Sequence, residues 1–137
     1  MNGLRTRLTE LNTLLSEADP PMDLLLLNET KLNGFAPPNI PGFTTAALRD
    51  RQGDRRAGGG VAIYAASNLQ LRDVSPDADD ISAVELEIND GEKMVVISYY
   101  IPPGTDVNQA LLDPLFTLCH DLGSYLFFHK CRENILY

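Results

Sequence analysis

Residues 24–27 form a run of four leucines between Asp23 and Asn28. A short continuous apolar run predicts a strand that is buried on both faces, because a strand with one face in water alternates apolar and polar side chains. The rest of the chain must then supply packing layers for both faces of this strand. With 137 residues, the chain falls within the range of about 100–200 residues that is usual for one domain.

Leucines at helical spacing predict an amphipathic helix from about Arg5 to Glu17, ended by Asp19-Pro20-Pro21 because proline disfavours helix before it. A second helix is predicted from Asp106 to His120, with Asp106 as its N-cap. Asn89-Asp90-Gly91-Glu92 is typical of a hairpin turn. Apolar runs, alternation and β-branched content predict five further strands. These are Phe43–Leu48, Val61–Ala65, Ile81–Ile88, Met94–Tyr100 and Tyr125–Phe128.

This order of elements predicts an α/β or α+β fold, a mixed sheet with helices packed on it. We expect the strands Leu24–Leu27 and Val95–Ile97 to be neighbours in its core. The sequence begins with a helix and ends as a new strand begins, which leaves sheet edges unpaired. We therefore expect a fold that is truncated at both ends.

The net charge is −8, from 11 Lys+Arg and 19 Asp+Glu residues, and this argues against non-specific nucleic-acid binding through bulk charge. The densest basic cluster is Arg49, Arg51, Arg55 and Arg56, which is either an anion-binding loop or a solvated loop with internal ion pairs. No leader and no apolar run of about 18 residues are visible. We expect an intracellular protein with no membrane span, in either the nucleus or the cytoplasm.

Glu29 directly follows the strand predicted from the leucine run, which ends at Asn28, and a carboxylate at the carboxyl end of a strand commonly faces the ligand crevice of an α/β sheet. One such carboxylate suits Mg²⁺, which keeps most of its water ligands. The simpler interpretation is an exposed glutamate paired with Lys31. Tyr100, at the end of a strand, is either a phosphate donor or a half-buried tyrosine. The segment Gly58-Gly59-Gly60 is either an anion-binding nest or a flexible turn.

Cys119, His120, His129 and Cys131 have a spacing that matches no ordinary zinc finger. The two cysteines also make no disulfide framework. We therefore expect neither zinc nor disulfides to organise this fold.

Five segments, in this order along the chain, resemble motifs of the endonuclease/exonuclease/phosphatase superfamily. They are Asn2-Gly3-Leu4, Leu24–Leu32, Ile40–Phe43, Arg49–Tyr64 with its three glycines, and Ser98–Gly104. The superfamily includes deoxyribonuclease I, the apurinic/apyrimidinic endonucleases and the endonuclease domain of non-LTR retrotransposons, and the arginine and triple-glycine segment is similar to the retrotransposon branch. The resemblance covers residues 1–128 and leaves 129–137 as a tail. It implies part of a four-layer α/β sandwich of the deoxyribonuclease I-like type.

The function implied by the resemblance is Mg²⁺- or Mn²⁺-dependent hydrolysis of a phosphodiester, which nicks target DNA for retrotransposition. Glu29 would match the metal-ligating glutamate of the family. The catalytic positions that the resemblance implies are Glu29, Tyr100 and Asn2. The substrate-binding positions that it implies are Lys31, Arg49 and Arg51.

This sequence departs from the family after Phe128, where the family has Gly-Asp-Phe-Asn and this chain has His129-Lys130-Cys131-Arg132. The later Ser-Asp-His motif of the family has no counterpart. We therefore expect a fragment that binds DNA weakly and does not cleave it. Two alternatives stay open, a non-catalytic domain relic or binding module from a mis-spliced or degenerate gene, and, with less support, a lipid or inositol phosphate phosphodiesterase. The sequence leaves the oligomeric state open.

Overall fold

The computed structural model describes residues 3–51, 58–89, 91–122 and 125–131. A 3-10 turn (Leu4–Arg7) leads into helix α1 (Leu8–Glu17), and a second helix, α2, spans Gln109–Leu122. The strands in this part of the chain are β1 (Leu24–Asn28), β2 (Phe43–Arg49), β3 (Val61–Ala66), β4 (Leu71–Asp73), β5 (Ile81–Asn89), β6 (Glu92–Tyr100) and β7 (Tyr125–Cys131). The predicted helices and strands are confirmed as mixed α/β structure, with β4 as an additional short strand.

The strands form two sheets rather than the one mixed sheet that was predicted. The first sheet has the antiparallel order β1-β3-β2, and the second has the order β4-β5-β6-β7, in which only β6 and β7 are parallel. The prediction that Leu24–Leu27 and Val95–Ile97 are neighbouring strands is wrong, because β1 lies at the edge of the first sheet and β6 lies within the second. A continuous apolar run reports on the two faces of a strand and carries no information about its edges.

Three apolar clusters define four layers. The first cluster packs α1 against β1 and β3, and includes Leu11, Leu25 and Tyr64. The second lies between the two sheets and contains Ala47, Ile63, Val84 and Val96, with Leu24 and Leu26 packed against it. The third packs α2 on the outer face of the second sheet, and its members include Ile81, Ile97 and Leu115. The order of layers is therefore helix, sheet, sheet, helix, which covers both faces of β1.

Alternation along β6 decides which layer each of its side chains reaches, because successive residues of a strand point to opposite faces. Val96 joins the cluster between the sheets, whereas Ile97 and Tyr99 join the cluster beneath α2. The Tyr99 hydroxyl donates to the Leu111 carbonyl of α2 (2.6 Å). Tyr100, one residue later, therefore faces the first sheet.

Helix α2 begins three residues after the predicted N-cap. The Asn108 side-chain oxygen accepts a hydrogen bond from the Leu111 N–H (3.0 Å), which is the contact that an N-cap residue makes with the third residue of a helix. The prediction of Asp106 as the cap is wrong, since asparagine caps as well as aspartate and Asn108 is the one in position. Among the described residues, neither helix is long and apolar enough to cross a bilayer.

Ile63 tests the layer between the sheets, since its side chain is fully buried there. We expect Ile63→Val to lower the free energy of unfolding by about 0.5–1.5 kcal/mol, because one buried methylene leaves a small cavity. The matched control is Ile88→Val, at a position that is 45% exposed, with an expected change below about 0.5 kcal/mol. Urea unfolding measures both, and equal effects would contradict a packed interface between the sheets.

Candidate functional site

Glu29 and Lys31 lie in the turn that directly follows β1. Both have a positive φ, 53° and 50°, which is uncommon for residues other than glycine. The glycine segment before β3 holds this turn in place, because the Thr30 N–H donates to the Gly60 carbonyl (3.2 Å) and the Lys31 N–H donates to the Gly59 carbonyl (3.0 Å). Strained backbone of this kind is concentrated at functional sites, so the turn is a candidate for one.

The Glu29 carboxylate is the centre of a polar cluster that also contains Lys31, Tyr100, Arg51 and Asp80. The Tyr100 hydroxyl donates a hydrogen bond to its Oε1 atom, and Lys31 Nζ lies 3.8 Å from its Oε2 atom. The side chains of Glu29 and Lys31 are 21% and 27% exposed, so the carboxylate is shielded but still reachable from solvent. The structure thus brings together three of the predicted site residues where β1 and β6 end.

The pKa of the Tyr100 phenol is strongly raised. Burial, the hydrogen bond to Glu29 and the negative charge of that carboxylate raise the pKa of Tyr100 well above its ordinary value, although the nearby Arg51 guanidinium opposes the shift. The phenol therefore stays protonated at neutral pH. It can act only as a hydrogen-bond donor to the carboxylate or to another anion placed beside it.

A second polar contact joins the two sheets one step further from the ends of the strands. The hydroxyl of Ser98, which is fully buried, donates to Oδ1 of Asn28 (2.9 Å). Ser98 and Tyr100 lie on the same face of β6, and Asn28 precedes Glu29. Two successive hydrogen bonds therefore tie the carboxyl end of β1 to that of β6, which fixes the position of the Glu29 turn relative to the second sheet.

The glycine segment Gly58–Gly60 is packed against the cluster, which argues against a freely flexible turn. A Cβ on Gly58 would lie 2.7 Å from Cε of Lys31, and a Cβ on Gly59 would lie 2.8 Å from Cζ of Arg51. Gly59 also has a φ of 98°, which side chains strongly disfavour. The absence of side chains therefore lets this segment approach both cations of the cluster.

Arg51 lies at the edge of the cluster with its charge already paired. Its Nε and Nη2 atoms donate to Oδ2 of Asp80 at 3.0 and 2.6 Å, and its guanidinium carbon lies 6.0 Å from the centre of the Tyr100 ring. The positive charge of Lys31 is likewise paired with the Glu29 carboxylate. The four charges of the cluster cancel, so it presents no large positive field to a polyanion.

Arg49, the other predicted phosphate contact, is engaged elsewhere. It donates to the carbonyls of Leu48 (2.8 Å) and Pro76 (3.4 Å) and forms an ion pair with Asp73 (3.6 Å). Beside it lies a cleft of about 600 Å³ whose lining is rich in carboxylates. The residues of this lining are Leu48, Arg49, Asp50, Ser75, Asp77, Ala78 and Asp79.

Asn2, the third predicted catalytic position, and the arginines Arg55 and Arg56 lie outside the described residues. His120 is 91% exposed on α2 and lies 3.6 Å from Asp121. Among the described residues, no group of three or more His, Cys, Asp or Glu side chains could hold a metal ion. In that part of the chain, Glu29 offers a partly exposed carboxylate suited to an ion that keeps most of its water ligands.

Asp80 and the Asn28–Ser98 pair are site residues that sequence reasoning missed. Asp80 stands directly before the alternating strand β5 and follows another aspartate, a pattern typical of an exposed turn. Only the fold shows that this carboxylate is 9% exposed and paired with Arg51. The run Asn28-Glu29 was the available signal for Asn28, because polar residues that end a buried strand lie at its crevice edge.

Comparison with protein-family models, with curated proteins and with solved structures finds no match for this chain.

Proposed function

We propose that Glu29, Lys31 and Tyr100 form the phosphate-binding part of a Mg²⁺-dependent phosphodiester site, and that the chain is a fragment of a DNA endonuclease of the deoxyribonuclease I-like, retrotransposon type. The observation that carries the proposal is the hydrogen bond from Tyr100 to Glu29. It joins residues of two separate motifs of the resemblance that are 71 positions apart. The helix–sheet–sheet–helix order of layers supports the same type of fold.

Each residue has a distinct role in this proposal. On phosphate binding, the Tyr100 phenol would turn its one proton from Glu29 to a phosphate oxygen, and its raised pKa keeps that proton in place. Lys31 attracts the phosphate with a charge-assisted contact. Glu29 would hold a largely hydrated Mg²⁺ or Mn²⁺ ion through one carboxylate oxygen, and the bound ion would neutralise charge on the phosphate.

The proposed activity of this chain is binding without turnover. The described cluster contains two carboxylates, two cations and a phenol donor, but it has no imidazole, and neither carboxylate is free to activate water. The carboxylate other than Glu29, Asp80, accepts from Arg51 and from the Gly60 N–H. A DNA strand would therefore be held at the site without being cut.

A non-catalytic binding module without a metal is the second candidate, and one observation favours it. Each oxygen of the Glu29 carboxylate already has a partner, Tyr100 on Oε1 and Lys31 near Oε2. If these contacts are permanent, Glu29 is a structural acceptor that ties the two sheets together. Metal binding separates the two candidates.

The proposal is tested by Mn²⁺ binding, which is measured as the loss of the electron paramagnetic resonance signal of the free ion. We expect the wild-type chain to bind one Mn²⁺ ion and Glu29→Gln to weaken that binding about tenfold or more, because the amide removes the charged ligand and keeps its size. The control is Glu10→Gln, on a helical glutamate whose side chain is 72% exposed, which should bind as the wild type does. Equal binding by wild type and Glu29→Gln would overturn the metal site and favour the non-catalytic candidate.

A further inference from the structure

Asp80 contacts three separate parts of the cluster. Its Oδ2 atom accepts two hydrogen bonds from Arg51, at 3.0 and 2.6 Å. Its Oδ1 atom accepts from the Gly60 N–H (2.7 Å), and its backbone carbonyl accepts from the Tyr100 N–H (3.0 Å). One residue therefore joins Arg51, the glycine segment before β3 and the last residue of β6.

The backbone of Asp80 is itself strained, with a φ of 58°. A non-glycine residue keeps this conformation only where its surroundings hold it. Here Arg51 and the Gly60 N–H hold the side chain of Asp80, and the Tyr100 N–H holds its carbonyl. The side chain is 9% exposed, so its charge is desolvated and depends on Arg51 for compensation. The pair is thus fixed in place by burial as well as by its hydrogen bonds.

Arg51 transmits this placement to the Tyr100 ring. Two donors of the guanidinium are directed to Asp80, and the group lies within reach of the ring face, 6.0 Å from its centre. The ring is therefore confined at its face by Arg51 and at its hydroxyl by Glu29. The backbone of the same residue is held by the carbonyl of Asp80.

We propose that Asp80 is a positioning residue for the Tyr100–Glu29 pair, acting through Arg51 on the ring and through its own carbonyl on the backbone. This assigns Arg51 a role in orienting the tyrosine, which differs from the direct substrate contact implied by the sequence. The functional meaning of the pair rests on the proposed function, whereas the positioning itself does not require a metal or DNA.

The resonance of the Tyr100 hydroxyl proton in ¹H NMR spectra of the metal-free chain tests the proposal. The signal is assigned by its absence from Tyr100→Phe. We expect a slowly exchanging, downfield signal in the wild type and its loss to exchange with water in Asp80→Asn. This variant keeps the side-chain size and an acceptor for Gly60, but it removes the charge that orients Arg51.

Glu85→Gln is the matched control, because Glu85 lies in β5, the strand that Asp80 precedes, and has a 9% exposed side chain and an arginine partner, Arg72, at 2.9 Å. We expect this variant to keep the Tyr100 signal. A merely stabilising role for Asp80 predicts that both variants behave alike, so an unchanged signal in folded Asp80→Asn, or its loss in both variants, overturns the proposal.

Arg51→Lys decides the matter if Asp80→Asn does not fold. Lysine keeps a cation beside Asp80 but lacks the planar group that lies over the ring, and we expect the Tyr100 signal to be lost to exchange there as well. A wild-type signal in folded Arg51→Lys, or no slowly exchanging signal in the wild-type chain, overturns the proposal. Failure of the Mn²⁺ titration alone would overturn the proposed function and leave the positioning role standing.

Discussion

Replacing Gly60 with alanine should lower the free energy of unfolding by about 2–5 kcal/mol, a large part of the roughly 5–15 kcal/mol that stabilises a typical domain. Two costs combine. Gly60 has a φ of 85°, and a residue with a side chain pays about 1–2 kcal/mol in this region. The new methyl group would also lie 2.5 Å from Oγ1 of Thr30 and 2.9 Å from Oδ1 of Asp50, and such overpacking typically costs about 1–3 kcal/mol.

The neighbours of Gly60 have little room to move. Thr30 is 1% exposed and its hydroxyl oxygen has no hydrogen-bond partner among the described residues, so a short, branched, enclosed side chain would have to shift. The peptide of Gly60 is also fixed, because its N–H donates to Asp80 and its carbonyl accepts from Thr30. The displacement would therefore spread to the Glu29 turn.

Gly104→Ala is the control that isolates the steric contact. Gly104 has a φ of 76°, and a Cβ there would meet no atom of the described part of the chain within 4 Å, so only the conformational cost of about 1–2 kcal/mol is expected. Urea unfolding of both variants gives the difference. If Gly60→Ala is no more destabilising than Gly104→Ala, the glycine segment is not packed against Thr30 as described.

The sequence predicted the elements of the fold better than their arrangement. Residue patterns report which faces of an element are apolar. The leucine run predicted β1, the alternation before Tyr100 predicted β6, and the prolines after Glu17 predicted the end of α1, all close to the observed bounds. Pairing depends on contacts between distant segments, which no local pattern encodes. For that reason β1 was expected beside β6, although the two strands lie in different sheets.

The candidate site shows the same division. Glu29, Lys31 and Tyr100 could be found because each stands at the end of an apolar strand, where polar side chains share one edge of the fold. Asp80 could not be found, because its importance comes from burial and from a partner 29 positions away in sequence, Arg51. Arg49 and Arg51 look equivalent in sequence, yet only Arg51 approaches the tyrosine.

The chain should not cleave DNA. With Mg²⁺ and supercoiled plasmid, we expect the wild-type chain to nick DNA no faster than Glu29→Ala. A general base supplies about 10²–10⁴-fold, and a group that stabilises the developing charge supplies about another 10²–10³-fold. Lys31 and Tyr100 could stabilise charge, but no residue of the described cluster is free to act as the general base, since Tyr100 keeps its proton and Asp80 is paired with Arg51.

The register of β7 gives this prediction its structural basis. Lys130 pairs with Tyr99 and Cys131 pairs with Tyr100 in the parallel ladder, so the carboxyl end of β7 lies beside the candidate site. At that position the resembled family has an aspartate, whereas this chain has Lys130. An ammonium group at neutral pH cannot accept a proton from water.

Plasmid nicking is measured by the conversion of supercoiled to open-circular DNA, with the Glu29→Ala variant purified in parallel to account for contaminating nuclease. Equal, background-level rates for the two proteins are the expected result, even where the wild type binds Mn²⁺. Robust nicking by the wild type that disappears in Glu29→Ala would show that water can be activated without the aspartate that the resembled family has at this strand end. The proposal that this chain binds phosphate without turnover would then be wrong, because a group close to Glu29 would have to accept the proton of the attacking water.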